Sequence, residues 1–408
     1  MQTHNCEVVI TPQYNIGAGI DCHKDIMVVH ISSKDGQKSE TKEFKTFTDD
    51  LEELTSYLVN EKVEVVLMES TGVYWISLYH KLIGAKLNVI VANPQHIKQM
   101  PKRKTDRKDA KWLCTLAING LVRKSFVPDG VHYSFREYCR IRDNYRKRIT
   151  QLNNRMVKIL ERSNIKLRSV SSSIRTKTCQ LIIDSILDGI TDPAQLSTLC
   201  LGKLKNKKEA IEKAVKGTIS EGDQIILRLL QEDRDHAQKQ LDSVNEKILE
   251  MEQAHYTLEV KLLDEISGIG QLTAQQIIAE IGTDMDKFET ADQLTSWAGL
   301  APGNNESAGK KKSTSTKKGN KYLRTAMVTA AWAAARSKNT YWFFLFSYLK
   351  RKMSAKKAII AIARRMLKVV FKVLKEKIHY VEGGKELFDH YQHVRLAKQV
   401  DKSTIKAA

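Results

Sequence analysis

The order of the elements in the N-terminal quarter of the sequence is the feature that most constrains the fold of this chain. Alternating apolar residues predict two strands within 16–31, joined by a polar turn at Asp21–Asp25, and a third strand over Thr41–Phe47. Helical apolar spacing then predicts a helix from Thr48 or Asp49 to Val59 and a helix over Tyr74–Gly84. A strand follows each of these helices, over Val63–Met68 and over Leu87–Ala92. This βββαβαβ order predicts an α/β domain.

Acidic residues stand where two of these strands end. Asp21 follows the first strand and Glu69 follows the fourth, and ligands of open α/β sheets gather at the carboxyl ends of strands. In a ribonuclease H-like sheet the first and fourth strands are neighbours, and a later helix brings further acids beside them. Asp106 and Asp109 open such a helix within the sequence KRKTDRKDAKWL. The sequence therefore predicts that these four carboxylates converge.

Four carboxylates at one place need a counter-charge, because like charges held close together repel. Mg²⁺ binds carboxylate and phosphate oxygens together, and one or two Mg²⁺ ions at such a site assist phosphoryl transfer. We therefore expect a magnesium site at the four acids. The basic residues around the last two acids are expected to bind nucleic acid, and these are Lys102, Arg103, Lys104, Arg107 and Lys108.

The same element order also opens the actin-like fold of sugar kinases and ATPases, in which a glycine-rich first hairpin holds phosphate. Gly17 and Gly19 agree weakly with that alternative. No second βββ unit follows in the sequence, and the net charge of +20 does not suit a small-molecule kinase. We therefore favour the ribonuclease H-like sheet.

The charge and the cysteines indicate the binding partner and the cellular compartment of the protein. The net charge of +20 is spread along the chain and indicates nucleic acid as the partner. The six cysteines form no CxxC pair, which favours reduced thiols in the cytoplasm over a zinc finger. The N-terminus has no secretion signal, and the apolar runs are too short to span a bilayer. We expect a cytoplasmic protein without a membrane partner.

In the middle of the chain, two long apolar seams predict two long helices. Steps of three and four residues predict amphipathic helices over Phe135–Asn164 and from Ile226 to Met251. They could pair as an antiparallel coiled coil within one chain, or they could join chains. We therefore predict an α/β domain over 14–130, a helical coiled-coil region over 131–256, a mainly helical domain over 257–382 and a peripheral tail over 383–408.

The last third contains two candidate phosphate-binding segments. Leu262–Gly282 reads as a helix-hairpin-helix in which Gly268 and Gly270 form the turn and backbone N–H groups hold phosphate. A polar loop over 301–319 follows, in which Ser307, Ser313 and Ser315 are all candidate nucleophiles toward phosphorus. Lysines of this loop would stabilise phosphoryl charge, and they are Lys310, Lys311, Lys312, Lys317 and Lys318.

Taken together, these motifs resemble the DEDD transposases of bacterial insertion sequences, the insertion-sequence 110 family. The resemblance covers about residues 14–380 and rests on GIDCHKD, MESTGVYW, KTDRKDAKWL, SGIGQLTAQQIIAEIG and WAGLAPGNNESAGKKKSTSTKKGNKYLR. It implies a RuvC-like N-terminal domain whose catalytic, metal-binding acids are Asp21, Glu69, Asp106 and Asp109. It also implies a C-terminal transposase domain with a nucleophilic serine. The family's pattern puts that serine at Ser307, although Ala308 stands where glycine is common.

The resemblance further implies partners and a reaction. Family members recombine DNA as multimers, here a dimer or tetramer, and a non-coding bridge RNA pairs with donor and target DNA. The acids of one subunit act with the serine of another, and a phosphoserine intermediate conserves the bond for rejoining. We therefore expect a site-specific DNA recombinase. The alternatives are a junction endonuclease that uses the acids and water, and a non-catalytic nucleic-acid-binding protein.

Overall fold

The computed structural model describes most of the chain and divides it into two compact units. The described residues are 12–70, 72–92, 97, 106–122, 124–128, 130–303, 305–307, 310–313, 315–316 and 318–394, without the side chains of 106–108, 305–307 and 310–313. The units are Met1–Val127 and Pro128–Ala408. The expected nucleic-acid contacts of Lys102, Arg103, Lys104 and Lys317 lie outside the described residues.

The first unit is a five-stranded sheet with three described helices. Its strands are β1 (Ile16–Cys22), β2 (Met27–Ser33), β3 (Ser39–Phe44), β4 (Val65–Glu69) and β5 (Val89–Ala92), and its helices are α1 (Thr48–Asn60), α2 (Trp75–Gly84) and α3 (Asp106–Ile118). The strand order is β3-β2-β1-β4-β5, with β2 antiparallel to its neighbours and β4 parallel to both β1 and β5. The predicted element order and the pairing of the first and fourth strands are confirmed. The strand ends differ from the predicted ones by up to three residues, and the ends of α1 and α2 differ by at most one.

The two faces of this sheet carry different helices. Ala18 and Ile20 of β1 lie in one apolar core with Leu54 of α1 and Leu78 of α2. The alternate residues of the neighbouring strand β4, Val65 and Leu67, pack instead against α3 through residues that include Leu113 and Ala117. The central strands β1 and β4 are therefore buried on both sides, as their nearly continuous apolar sequences require, whereas the edge strand β3 is exposed except at Phe44.

Two glycines of β1 allow α3 to lie directly on the strand. A Cβ atom on Gly19 would lie less than 3.0 Å from the carbonyl oxygen of Ala110 and the amide nitrogen of Cys114. A Cβ atom on Gly17 would meet the side chain of Ile118. The thiol of Cys114 also donates a hydrogen bond of 3.1 Å to the carbonyl of Gly17. These glycines serve helix packing, and this explains them without a phosphate-binding hairpin.

The second unit begins with two long helices that pair within one chain. They are α4 (Gly130–Arg162) and, after a cluster of short helices, α9 (Glu221–His255). The end of α4 meets the start of α9 through Arg162 and Asp223, and Phe135 near the start of α4 stacks on Tyr256, at 4.7 Å between ring centroids. The pair is therefore antiparallel.

The short helices between the long pair form a separate apolar cluster with the far end of α4. They are α5 (Leu167–Val170), α6 (Lys177–Leu187), α7 (Pro193–Ser197), a 3₁₀ turn (Gly202–Lys207) and α8 (Lys208–Ala214). Two positions of the predicted seams are wrong, because Ile141 and Ile226 are exposed and the residues that follow them, Arg142 and Leu227, are buried. We name this cluster of 163–220 with the end of α4 the tip.

The rest of the second unit is mainly helical, as predicted. It contains α10 (Thr257–Asp264), α11 (Gln271–Ile281), a 3₁₀ turn (Met285–Lys287), α12 (Ala291–Trp297), β6 (Asn305–Ser307), β7 (Lys310–Ser313), α13 (Lys321–Arg336), α14 (Tyr341–Lys350) and α15 (Ala355–Glu376). The predicted polar loop therefore includes a short β-hairpin. In the tail, residues 384–394 are helical, and Phe388 stacks on rings of α14. No helix within the described parts of the chain is long and apolar enough to span a bilayer.

Candidate active site

Asp21 and Glu69 lie side by side at one edge of the sheet. Ile20 pairs with Met68 in the parallel ladder of β1 and β4, so that the next residue of each strand is an acid. Side chains alternate between the two faces of a strand. Because Ile20 and Met68 face the α1 and α2 core, Asp21 and Glu69 face the side that carries α3.

The pKa of the Cys22 thiol is affected by both acids. Burial, together with the negative charges of Asp21 and Glu69, raises the pKa of this thiol to about 12. We expect Cys22 to resist alkylation at pH 8 in the folded protein, because only the thiolate reacts. Peptide mass spectrometry after iodoacetamide treatment measures this. Alkylation in guanidinium chloride is the control, and rapid modification of Cys22 in the native protein would contradict the burial described here.

Helix α3 brings Asp109 to the same edge. Gly19 of β1 faces Ala110 and Cys114 of this helix, and Gly17 faces Ile118, so the helix runs antiparallel to the strand. The start of α3 therefore lies where β1 ends, beside Asp21. The side chain of Asp109 is partly buried, with one carboxylate oxygen fully buried.

The remaining residues of the KRKTDRKDAKWL motif are described only by their backbone. Asp106 is the first residue of α3, one turn before Asp109, and Arg107 and Lys108 follow it. A spacing of three residues puts Asp106 and Asp109 on one side of the helix. Asp21, Glu69 and Asp109 lie at the same edge of the sheet, and the convergence of all four acids on one metal site stays a prediction.

His23, in the turn after β1, is a further residue of this edge. Its Nε2 atom lies 3.2 Å from Oδ2 of Asp21, whose side chain is 19% exposed. A histidine two residues beyond a strand-end acid can fold back onto that acid, and this spacing was the available signal. The contact fixes the direction of one carboxylate oxygen of Asp21.

The donor chemistry of this edge fits a hard divalent cation. Asp21, Glu69 and Asp109 offer carboxylate oxygens, which are the ligands that Mg²⁺ prefers. Among the described side chains, no three acidic, histidine or cysteine residues stand close enough together to hold a metal ion. Asp106 is outside that statement, because its side chain is not described.

The serine segment is a β-hairpin in the second unit. Ser307 ends β6 and pairs with Lys310, the first residue of β7. The hairpin is closed below this by a bridge between Pro302 and Thr316 and by a 3.0 Å hydrogen bond from the amide of Gly303 to the carbonyl of Ser315. Ser307 therefore lies at the turn end of the hairpin. Of the lysines, Lys310, Lys311 and Lys312 follow on β7, and Lys318 is exposed beyond it.

The base of the hairpin is attached to the start of α13. Arg324 donates hydrogen bonds to the carbonyl of Gly299 and, at 3.0 Å, to Oγ1 of Thr316. Asn320 caps α13 by accepting hydrogen bonds of 3.0 Å from the amides of Tyr322 and Leu323. A helix cap of this kind fixes where the helix starts, and so it fixes where the hairpin ends.

Asn320 also contacts a buried carboxylate, that of Glu280 in α11. Its Nδ2 atom donates a 2.6 Å hydrogen bond to Oε2 of Glu280, which is fully buried. Arg140 of α4 donates two more, of 2.9 and 2.8 Å, one to each carboxylate oxygen. Charge-assisted, two-point pairs of this kind are strong and directional. Sequence reasoning missed this group, since 140 residues separate Arg140 from Glu280.

Arg136 adds a second cation beside Glu280. It donates hydrogen bonds to the backbone carbonyls of Ala279 and Glu280, at 2.9 and 2.7 Å. Burial lowers the pKa of Arg136 to about 10, while the charge of Glu280 opposes that shift. Arg136 is therefore still charged at neutral pH. We name Arg136, Arg140, Glu280 and Asn320 the Glu280 network.

The predicted helix-hairpin-helix turn is packed against α13. Gly268 has φ of +94°, and a Cβ atom there would lie within 3.0 Å of the carbonyl oxygen of Ala330. The neighbouring Ser267 donates a 2.7 Å hydrogen bond to Glu382. Gly268 is thus required by backbone conformation and packing. Phosphate binding by Gly268 and Gly270 stays a prediction.

Comparison with known families agrees with this arrangement. The profile of DEDD-type transposases of the IS110 group, described as a transposase, matches residues 18–165. A second profile, described as the transposase IS116/IS110/IS902 family, matches residues 260–346. No curated protein sequence matches the chain. An α/β sheet with acids at adjacent strand ends and a DEDD profile over it defines a DNA transposase.

The chain belongs to the IS110 family of transposases, and this confirms the resemblance found in the sequence. It is accordingly a DNA-binding enzyme that cuts and rejoins DNA. Transposases of the DEDD type typically depend on divalent metal ions.

Proposed function

We propose that this transposase is a site-specific recombinase in which Ser307 and the acids Asp21, Glu69, Asp106 and Asp109 act on one phosphate. The observation that carries the acidic half of the proposal is the parallel pairing of β1 with β4. That pairing ends in Asp21 and Glu69 on the face against which α3 begins. No other described feature of the first unit collects acids at a strand edge in this way.

In this proposal the four acids hold one or two Mg²⁺ ions. The metal supplies Lewis-acid stabilisation of charge on the phosphate oxygens. Asp21 is held in position by its 3.2 Å contact with His23. Asp109 is held by α3, which Gly17 and Gly19 admit onto the sheet. The chain thus presents its carboxylates on packed elements rather than on loops, as positioning of a reactive phosphate requires.

The serine reaction is a balanced exchange of phosphoester bonds. The Oγ atom of Ser307 attacks phosphorus, a bond between Oγ and phosphorus forms, and one backbone P–O bond breaks. The leaving oxygen becomes a hydroxyl, and the proton lost by Ser307 balances it. A second DNA hydroxyl then attacks the phosphoserine and restores Ser307. The lysines of the hairpin, Lys310, Lys311, Lys312, Lys317 and Lys318, bind the phosphates in this proposal.

The partners in this proposal are DNA, a non-coding guide RNA and further copies of the chain. The net charge of +20 favours contacts with phosphates, which position a protein without reading sequence. Base pairing by the guide RNA would supply the choice of site. The acids of one subunit would serve the serine of another in a dimer or tetramer. A cytoplasmic location agrees with the described cysteines, which are all free thiols.

A denaturing gel tests the serine step. Purified protein is mixed with Mg²⁺, labelled element-end DNA and RNA transcribed from the flanking non-coding region. We expect a protein–DNA band that resists SDS, because phosphoserine is covalent. Ser307→Ala and Asp106→Asn should each lose the band, and Ser315→Ala, a matched change at the base of the same hairpin, should keep it.

The gel also separates the alternatives. DNA cutting without a covalent band, unchanged by Ser307→Ala, would replace the proposal with a water-using endonuclease. A band that survives Ser307→Ala but disappears in Ser315→Ala would transfer the nucleophile to Ser315. Absence of any cutting by wild-type protein with every RNA and DNA partner supplied would favour a role in binding alone.

A further inference from the structure

A cavity opens at the same edge of the sheet as the acids, on the face that carries α1 and α2. It has a volume of about 240 Å³. Three connections surround it: the turn after β1, the turn between β3 and α1, and the turn between β4 and α2. Its lining residues are His23, Lys24, Met27, Thr46, Leu51, Val73, Tyr74 and Ser77.

His23 joins this cavity to the candidate active site. Its imidazole lines the cavity, and its Nε2 atom lies 3.2 Å from the carboxylate of Asp21. The His23 side chain therefore stands between a molecule in the cavity and the carboxylate of Asp21. Such an occupant would contact the same imidazole that contacts Asp21.

The rim of the cavity exposes apolar and aromatic side chains. Gly72, with φ of +61°, turns the chain so that Val73 and Tyr74 stand at the edge of the sheet. Val73 is 66% exposed, Tyr74 is 42% exposed, and Phe47, next to the lining residue Thr46, is 73% exposed. A single exposed apolar residue is ordinary, but a group at the rim of one cavity marks a binding surface.

We propose that this cavity binds one unstacked nucleobase of the DNA strand whose phosphate lies at the acids. The proposal rests on the proposed function, since it takes the acids as the place of the phosphate. The Tyr74 ring would stack on the base, and the hydroxyl group of Ser77 can hydrogen-bond its edge. The hydroxyl of Thr46 donates a 2.9 Å hydrogen bond to the carbonyl of Lys24, so toward a base it can only accept. The ammonium group of Lys24, which is exposed, would bind the adjoining phosphate.

The chemistry of the cavity favours a nucleotide over a protein segment. A nucleotide combines a flat apolar face with a phosphate, and the cavity combines an aromatic rim with Lys24 and His23. Stacking tolerates any base, because every base has a π-face. The site would therefore hold the strand open beside the cut without choosing its sequence, which is compatible with site choice by a guide RNA.

Crosslinking with the full chain locates the base. Wild-type protein is bound to a single-stranded thymidine homopolymer that carries 5-iododeoxyuridine, with Mg²⁺ present, and is then irradiated. We expect a crosslinked peptide that contains Tyr74. Tyr74→Phe should keep the crosslink because its ring can still stack, Tyr74→Ala should lose it, and Tyr133→Ala, a similarly exposed tyrosine of α4, should leave it unchanged.

Affinity provides a second readout. Tyr74→Ala should weaken binding of the thymidine homopolymer about 5-fold to 150-fold, the range for loss of one base–aromatic stack. It should not change binding of an abasic strand of the same length. Equal weakening for both strands, or absence of a Tyr74 crosslink, would overturn the proposal. A crosslink at Tyr74 to uridine RNA but not to DNA would also overturn it and would assign the cavity to RNA.

The outcome of the Tyr74 experiments does not depend on the outcome of the Ser307 gel. Crosslinking at Tyr74 does not require cutting, so it can succeed in Ser307→Ala protein. If Ser307→Ala still cuts DNA while the Tyr74 crosslink persists, the serine mechanism fails and the base site stands. If Ser307→Ala loses the covalent band and Tyr74 gives no crosslink, the base site fails alone.

Discussion

Gly19→Ala should reduce DNA cutting about 100-fold and lower the free energy of unfolding of the first unit by about 1–3 kcal/mol. The added methyl group would lie less than 3.0 Å from backbone atoms of Ala110 and Cys114 in α3. Backbone of a packed helix cannot rotate away as a side chain can, so α3 must shift. Because α3 carries Asp106 and Asp109, a shift of about 1 Å misplaces both acids relative to Asp21.

Two other glycines of the same unit give a graded control series. Gly17→Ala meets side chains alone, those of Ile118 and Val65, and should have a smaller effect on both readouts. Gly84→Ala, at the end of α2, meets nothing within 4 Å and should change stability by less than about 1 kcal/mol. Guanidinium denaturation and hydrogen exchange of α3 peptides measure stability, and the gel measures cutting. Wild-type behaviour of Gly19→Ala would contradict the packing of α3 on β1.

Glu280→Gln should destabilise the second unit by about 3–5 kcal/mol, the usual effect of removing one partner from a buried ion pair. The change keeps the shape of the side chain but removes the charge that balances two cations. Arg136, which is 8% exposed, and Arg140 would then remain charged in a largely buried place. Hydrogen exchange should rise first in α11 and in the start of α13.

The functional readout of Glu280→Gln is the covalent protein–DNA band. Asn320, which contacts Glu280, also caps α13 at the base of the serine hairpin, so the band should weaken even in conditions where the protein is folded. Glu250→Gln is the matched control, because Glu250 is paired with Lys247 on an exposed surface and should cost less than about 0.5 kcal/mol. Equal stability of the two variants would show that the Glu280 network contributes little.

The local pattern of the sequence was sufficient to predict the acidic edge. Alternating apolar residues locate the strands. Because successive side chains of a strand point to opposite faces of the sheet, the same pattern gives the face on which Asp21 and Glu69 lie. The neighbouring position of the first and fourth strands came from the expected sheet type, and it is confirmed. The strands and their faces could be predicted because each depends on residues that are close in the sequence.

Features that depend on distant partners could not be predicted in this way. Glu280 reads as a polar position of an amphipathic helix, and only the approach of Arg140 from α4 makes its burial favourable. Gly19 reads as part of a glycine-rich hairpin, and only the position of α3 gives it a packing role. The hairpin at Ser307 was read as a loop, because its lysines and serines are typical of turns and not of strands.

The length of helix α4 determines how far apart the Glu280 network and the tip lie. Arg136 near its start belongs to the Glu280 network, and Leu160 near its end belongs to the tip. At 1.5 Å per residue these two points are roughly 36 Å apart. That distance is about one full turn of B-form DNA, which repeats about every 34–36 Å. A straight duplex laid along this helix would therefore turn the same groove toward both of its ends.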